Sequence, residues 1–344
     1  MRKRKAPTIS TAMGGLSNTA VNTGFADSPK GASGGPALNP GGAHPRAIRV
    51  GVLCVLYDSV ELPQLFRDLS GTNGVFVSIL DNSGDLTESV PVGVELLRPG
   101  RNLGYSAGVN RALAALPRDL DVLLVINPDV VSDADCILGL ARQVVDLEGP
   151  VLVAPISEDG MFGIQPRHSV ISTILAHSPC MKGLFRDRRN GFLSGALLAI
   201  NAAALDVLAF DGRLLQENLF FMDDVELSAR ARRLGVGVME LHCPGRIRHI
   251  GGVSMRRRPS VRIYFSRVST VRYWSQTRPF QARLLAAYFL LESSVGWLVA
   301  TRRAPREGIR QGATEAEGFR AVIQWLVSRD DSIDQIILGN VVRR

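Results

Sequence analysis

The clearest pattern along the chain is a set of short apolar runs with almost no polar interruption. Residues 48–57 read Ile-Arg-Val-Gly-Val-Leu-Cys-Val-Leu-Tyr, and residues 76–80, Val122–Ile126 and residues 151–154 have the same character. Runs of this length without polar alternation mark strands buried on both faces, as in a parallel sheet covered by helices. Val94–Leu97 predicts a further short strand. Between these runs, helices are predicted over residues 60–69, 106–116 and 133–145. Pro63 falls in the first turn of the first of them, where a missing N–H does little harm. Residues 192–200 read as one more strand, with Asn201 as the cap of the helix that follows. Residues 224–234 read as a helix stopped by Gly235, and residues 236–241 and 246–250 as short strands. Beyond Arg258 the pattern is mostly helical. Residues 282–300 are apolar but carry Glu292, Ser293, Ser294 and Gly296. They suit a buried or interfacial helix, and no run reaches the ~18 uncharged apolar residues of a membrane span.

Strands alternating with helices predict an α/β fold, with a mostly parallel central sheet flanked by helices and a helical C-terminal extension. The expected organisation is a disordered tail over residues 1–46, a catalytic domain over 47–258 and a helical region over 259–344. In such sheets ligands bind beyond the carboxyl ends of the strands. Tyr57-Asp58, Asp81-Asn82 and Asn127-Pro128-Asp129 each follow a predicted strand, so three polar clusters are expected at one edge.

Composition adds less. The tail is rich in Gly, Ser, Ala, Asn and Pro, too polar to offset the entropy of ordering it. The first residues are basic but lead into no apolar stretch, so no secretory signal is expected. The four cysteines, Cys54, Cys136, Cys180 and Cys243, are scattered singly. That spacing argues against a disulfide framework or a structural zinc and for a reducing cytoplasm. The net charge of +8 is concentrated at Arg2-Lys3-Arg4-Lys5 and in the arginines beyond Arg246. Such a stretch suits nucleic acid, anionic lipid or an anionic substrate. Nucleic acid is set aside, because no recognition motif and no regular interleaving of stacking aromatics accompanies the arginines.

Chemistry is concentrated in a few places. Asp129, just past a buried strand, is placed to hold Mg²⁺ or Mn²⁺ through oxygen, with substrate phosphate completing the shell; a loop carboxylate ahead of the next helix is the plainer alternative. Asp81-Asn82-Ser83 offers a carboxylate to a base or ribose, or else forms an Asx turn. In Asn102-Leu-Gly104-Tyr105-Ser-Ala-Gly108-Val-Asn110 the glycines permit close backbone approach, and the helix start suits a diphosphate. Neither the Gly-x-Gly-x-x-Gly fingerprint nor a P-loop is present. Asp223, Asp224 and Glu226 open a helix, where acids are favoured electrostatically, but adjacent carboxylates also serve as general bases. His249, after a short strand, is a ligand or a structural histidine.

Taken in order, Tyr57, Asp81-Asn82-Ser83, the segment from Asn102 to Asn110, Asn127-Pro128-Asp129, Gly191-Phe-x-Ser194-Gly195-Ala196, Phe220-Phe-Met-Asp223-Asp224-Val-Glu226 and His249-x-Gly251-Gly252-x-Ser254 resemble family 2 glycosyltransferases of the GT-A fold. The likeness is to the bacterial rhamnosyltransferase-like branch and covers about residues 48 to 260. It implies inverting transfer of a sugar, rhamnose in that branch, from a nucleotide-diphosphate donor to a glycan or lipid-linked glycan acceptor, as in cell-wall or polysaccharide synthesis. It further implies that Asp81 contacts the base, Asp129 binds the metal, Asp224 is the catalytic base and His249 meets the metal or diphosphate. Tyr57, Asn82, Asn102, Gly104, Tyr105, Gly108, Asn110, Asn127 and Gly195 would line the nucleotide-sugar site, with Asp223, Glu226 and Ser254 in support. Three positions depart from the family pattern: Asp58 for Asn, Asp223 for Glu and Glu226 for Asp. The alternative is a catalytically silent nucleotide-sugar-binding or scaffold protein of the same fold. The expected location is cytoplasmic, at the inner face of the cell membrane, with the C-terminal helices meeting that surface or a second copy of the chain.

Overall fold

The computed structural model describes residues 47–156, 162–165, 191–243, 245–251, 258–303 and 309–342. The strands are β1 (Val50–Leu56), β2 (Val75–Asp81), β3 (Val94–Leu97), β4 (Val122–Ile126), β5 (Val130–Ser132), β6 (Val151–Ile156), β7 (Ile164–Gln165), β8 (Phe192–Leu193), β9 (Leu197–Asn201), β10 (Gly237–His242) and β11 (Ile247–His249). The helices are α1 (Gln64–Ser70), α2 (Tyr105–Leu113), α3 (Ala134–Val145), α4 (Ala202–Leu208), α5 (Asp223–Arg233), α6 (Pro259–Thr277), α7 (Pro279–Arg303), α8 (Ile309–Ser328) and α9 (Ser332–Val342).

A seven-stranded sheet runs in the order β10-β6-β9-β4-β1-β2-β3. Its pairings are parallel except at β9, which lies antiparallel to both β4 and β6. The unbroken apolar runs have a simple cause. In β1, Val52, Cys54 and Leu56 enter the core on one face, against α1 and α3, while Leu53 and Val55 enter the core on the other, against α2, α4 and α5. A strand covered on both sides has no solvent face on which to place polar residues. Asn201 caps α4 as expected, accepting from the Ala204 N–H at 3.0 Å and also from the Val151 N–H.

Three expectations need correction. Residues 192–200 are two strands, not one: β8 pairs with β7, β9 joins the main sheet, and Ser194-Gly195-Ala196 forms the break. A Cβ on Gly191 would lie 1.8 Å from the Gln165 carbonyl oxygen, so glycine is what lets the chain enter β8 this close to β7. Cys136 and Cys243 are bonded to each other, although 107 residues apart, because the antiparallel β5–β11 pair brings their neighbourhoods together. Sequence spacing carries no trace of that contact. Cys54 is a buried free thiol as anticipated, and Cys180 lies outside the described residues. Finally, α7 is one continuous helix of 25 residues, long and apolar enough to cross a membrane by length and composition. Most of it is exposed, so of the two expectations, a buried or an interfacial helix, the buried one does not hold.

Helices α6 to α9 share a third core with the start of α5, centred on Tyr264, Val268 and Phe289. The arginines that face it are paired. Arg267 donates to Glu292 at 2.6 Å, and Arg272 to Asp334 at 2.8 Å and to Asp331. The Tyr264 hydroxyl and the Trp325 indole N–H donate to Asp334 and Asp331 at 2.7 and 2.9 Å. A buried guanidinium without such partners would cost several kcal/mol. This cluster therefore fixes α9 against α6.

Candidate active site

A cleft of about 450 Å³ opens beyond the carboxyl ends of β1, β2 and β4, where ligands bind in sheets of this kind. Its walls include Tyr57, Asn82, Asn102, Gly104 and Tyr105 on one side and Asn127, Pro128, Asp129 and His249 on another. Gly195, Asp223 and Asp224 complete the rim. Asp129 and Asp224 thus border one hollow.

Asp129 sits immediately before β5, and His249 is the last residue of β11. The pairing of these strands sets Val130 opposite His249, and the Ile250 N–H donates to the Asp129 carbonyl at 3.0 Å. The two side chains meet with His249 Nε2 3.0 Å from Asp129 Oδ1. His249 Nδ1 and Asn127 Oδ1 are buried without a hydrogen-bond partner. Buried polar atoms are normally satisfied, so such orphans point to something that binds. One carboxylate and one imidazole fit a hard divalent cation that keeps waters and takes phosphate oxygens. They do not make an all-protein cage, and among the described residues no group of three or more His, Cys, Asp or Glu could hold a metal.

Across the cleft, α5 begins with Asp223 and Asp224. Asp224 Oδ1 accepts from the Val225 N–H at 2.8 Å and Oδ2 from the Gly195 N–H at 3.3 Å. A Cβ on Gly195 would stand 3.2 Å from the Asp224 Cβ, so a larger residue there would press Asp224 back by a few tenths of an ångström. Burial pushes the Asp224 carboxyl up to about 6, against these hydrogen bonds. Burial, together with the neighbouring Asp224 charge, pushes Asp223 up to about 8. Two adjacent carboxyls in a half-dry site do not readily ionise together. Burial also drives the Tyr105 phenol well above its usual range, with Asp223 adding to the effect.

Other members of the sequence set are framework. The Asp81 carboxylate is buried and accepts from the Gly84 and Leu86 N–H groups at 2.8 and 3.2 Å, closing the loop after β2; it does not border the cleft. Its neighbour Asn82 does, and donates to Asn102 Oδ1 at 2.8 Å while accepting from the Leu103 N–H at 2.7 Å. That pair holds Gly104 in its left-handed conformation (φ 80°) at the start of α2. Gly108 packs on the sheet, since a Cβ there would be 3.1 Å from both Val55 methyls. Glu226 turns away to pair with Arg230 at 3.0 Å. Ser254 lies outside the described residues.

Asn110 is a clamp: its Oδ1 accepts from the Leu214 and Leu215 N–H groups, both at 2.9 Å, and its amide donates to the Leu215 carbonyl. Asn110→Ala would strand these buried groups at ~1–3 kcal/mol each. We expect a loss of ~2–4 kcal/mol in urea unfolding, with the donor site still able to bind.

The sequence did not single out Arg258, Arg262 or Leu338. Arg258 lies over the Tyr57 ring at 3.9 Å, hydrogen-bonds the Tyr57 hydroxyl, and forms a two-point pair with Asp58, one bond of it at 2.9 Å. Desolvation lowers its pKa to about 10. The departure at Asp58 was the available signal, because a carboxylate where Asn is usual calls for a cation. Asp58 and Phe221 adopt left-handed backbone (φ 55° and 72°) beside the cleft, a conformation costing ~1–3 kcal/mol for such residues and concentrated at functional sites. Val261 and Arg262 of α6 and Leu338 of α9 also border the cleft.

No family model and no curated protein matches the chain. Among solved structures it is similar to a mannosyltransferase from Pyrobaculum calidifontis in complex with GDP-Man and Mn²⁺, at 13% identity over 82% of this chain and 88% of that one, with a TM-score of 0.43. It is also similar to glucosyl-3-phosphoglycerate synthase from Mycobacterium tuberculosis in complex with Mg²⁺ and UDP, at 14% identity over 67% and 79%, TM-score 0.41.

Proposed function

We propose that the chain is an inverting glycosyltransferase, moving a sugar from a nucleotide-diphosphate donor to a hydroxyl of a glycan or lipid-linked glycan. The observation that carries this reading is the shared cleft, with the Asp129–His249 pair in one wall and the Asp224 carboxylate in another. The seven ordered motifs support it independently, and rhamnose from a deoxythymidine-diphosphate donor is the sugar their branch suggests.

Asp129 and His249 would hold Mg²⁺ or Mn²⁺, which would supply positive charge to offset the charge growing on the diphosphate leaving group. The chain's own residues do the rest. Asn82, Asn102 and Gly104 shape the floor on which the nucleotide lies, and Tyr57 with Arg258 offers a flat cationic face beside it. Asp224, ionised at neutral pH, accepts the proton of the acceptor hydroxyl as that oxygen attacks the anomeric carbon opposite the departing diphosphate. Asp223 keeps its proton and leaves Asp224 as the single base. The wall formed by Val261, Arg262 and Leu338 excludes water from the acceptor side.

A thermal-shift screen against deoxythymidine-, uridine- and guanosine-diphosphate sugars tests the reading. One class is expected to raise the melting temperature by several degrees with Mn²⁺ and by much less with chelator. No shift with any donor in either condition would overturn it.

A further inference from the structure

Helix α7 presents an apolar stripe that no other described residue covers. Phe280, Leu284, Leu291, Val295 and Leu298 recur at spacings of four, seven, four and three residues along one side, and Leu291 and Val295 are 68% and 54% exposed. At 1.5 Å per residue the helix is roughly 37 Å long. The stripe from Phe280 to Leu298 spans roughly 27 Å of it, and large contiguous apolar faces of this kind mark interaction surfaces. Between Arg283 and Arg302 the one charged residue is Glu292, and it is turned inward to Arg267. The stripe therefore carries no carboxylate; Arg283 lies beside its first turn, and Arg302 and Arg303 follow its other end.

We propose that this stripe lies on an anionic lipid surface. Charge decides between lipid and a second copy of the chain. Self-pairing in parallel sets Arg302 against Arg302, and in antiparallel sets it against Arg283, so cations meet cations either way. Anionic headgroups match both ends while acyl chains accept the apolar middle. Crossing the bilayer is disfavoured, because Ala282, Leu285, Phe289 and Ser293 of α7 are buried in the fold and α6 would have to bring Arg267 and Arg272 with it. The helix lies along the surface.

Its placement bears on the cleft. On α8, Gly318 packs against Ser260 and the next residue, Phe319, against Gly296. Residue 296 of α7 is thus level with the start of α6, whose Val261 and Arg262 border the cleft. An acceptor anchored in the surface would reach the cleft from that end. Lipid contact itself does not depend on the transfer reading, and its test measures binding rather than turnover.

The test is flotation of the full chain with vesicles of 30% phosphatidylglycerol in phosphatidylcholine, against pure phosphatidylcholine. The wild type is expected to float with the anionic vesicles at low salt. The double variant Leu291→Asn, Val295→Asn changes no charge, so basic segments elsewhere act equally on both proteins; it is expected to float at least tenfold less. Trp297 is the exposed tryptophan, Trp274 and Trp325 being buried, so vesicles should shift the emission of the wild type to the blue and not that of Trp297→Phe. Circular dichroism and melting of the variants check that they fold. A wild type left at the bottom, or a double variant that floats equally, overturns the proposal. So does sedimentation showing a wild-type dimer that the double variant abolishes.

Discussion

Replacing Asp224 with Asn is expected to lower transfer by ~10²–10⁴-fold while nucleotide-sugar binding survives. The amide has the shape of the carboxylate and its one oxygen keeps the Val225 N–H bond at the cost of the longer Gly195 one, but it takes no proton from an attacking hydroxyl. Burial has already brought Asp224 up to about 6, near the value that balances ionisation at neutral pH against proton affinity. The rate of the wild type should therefore climb as pH rises through about 6 and level off above it, and the residual rate of the variant should lack that limb. Stability should move the other way. Both Asp223 and Asp224 bind protons more tightly in the folded chain than at their ordinary 3.8, so folding is favoured at low pH and weakened as pH rises through about 6 and about 8. Asp223→Asn and Asp224→Asn should each melt above the wild type at pH 8, with the difference closing toward pH 4. Turnover and isothermal titration on the same preparations provide the check. A variant that loses donor binding together with turnover would make Asp224 a structural residue.

Asp129→Asn should behave differently, reducing both turnover and metal-dependent donor affinity. The amide still meets His249 Nε2, now 3.0 Å from the carboxylate, but carries no charge to attract a divalent cation. Loss of charge stabilisation on a leaving diphosphate is worth several kcal/mol, and each ~1.4 kcal/mol is tenfold in rate, so a fall of ~10²–10³-fold in transfer is expected. The second signature is in the thermal shift, where Mn²⁺ should cease to enhance the effect of the donor. An unchanged dependence on metal concentration would remove Asp129 from the metal site. The contrast between the two variants separates the two walls of the cleft.

What the sequence could reveal follows from how far each contact reaches along the chain. Strands β1, β2, β4 and β6 were legible because burial on both faces leaves a local signature, and the polar clusters that follow them were placed by the strand-end rule alone. The direction of β9 was not legible, since an apolar run is the same read parallel or antiparallel. Of the β5–β11 ribbon, which sets Asp129 beside His249, the sequence indicated β11 within residues 246–250, but neither the three-residue β5 nor the pairing of the two. The motif order identified the carboxylates but not their tasks. Asp81 and Glu226 are carboxylates like Asp129 and Asp224, and only their hydrogen bonds place them in loop closure and helix pairing. Arg258 was one of several arginines in a row, and its place on Tyr57 is fixed by a contact spanning 201 positions.

Leu338 near the end of α9 touches the same hollow as Tyr57 after the first strand, held there by the Arg272–Asp334 cluster. During synthesis, the sheet and its acidic residues emerge long before that last wall arrives. Until α9 docks on α6, a nascent polypeptide would thus display the hollow without that wall, open to water on that side.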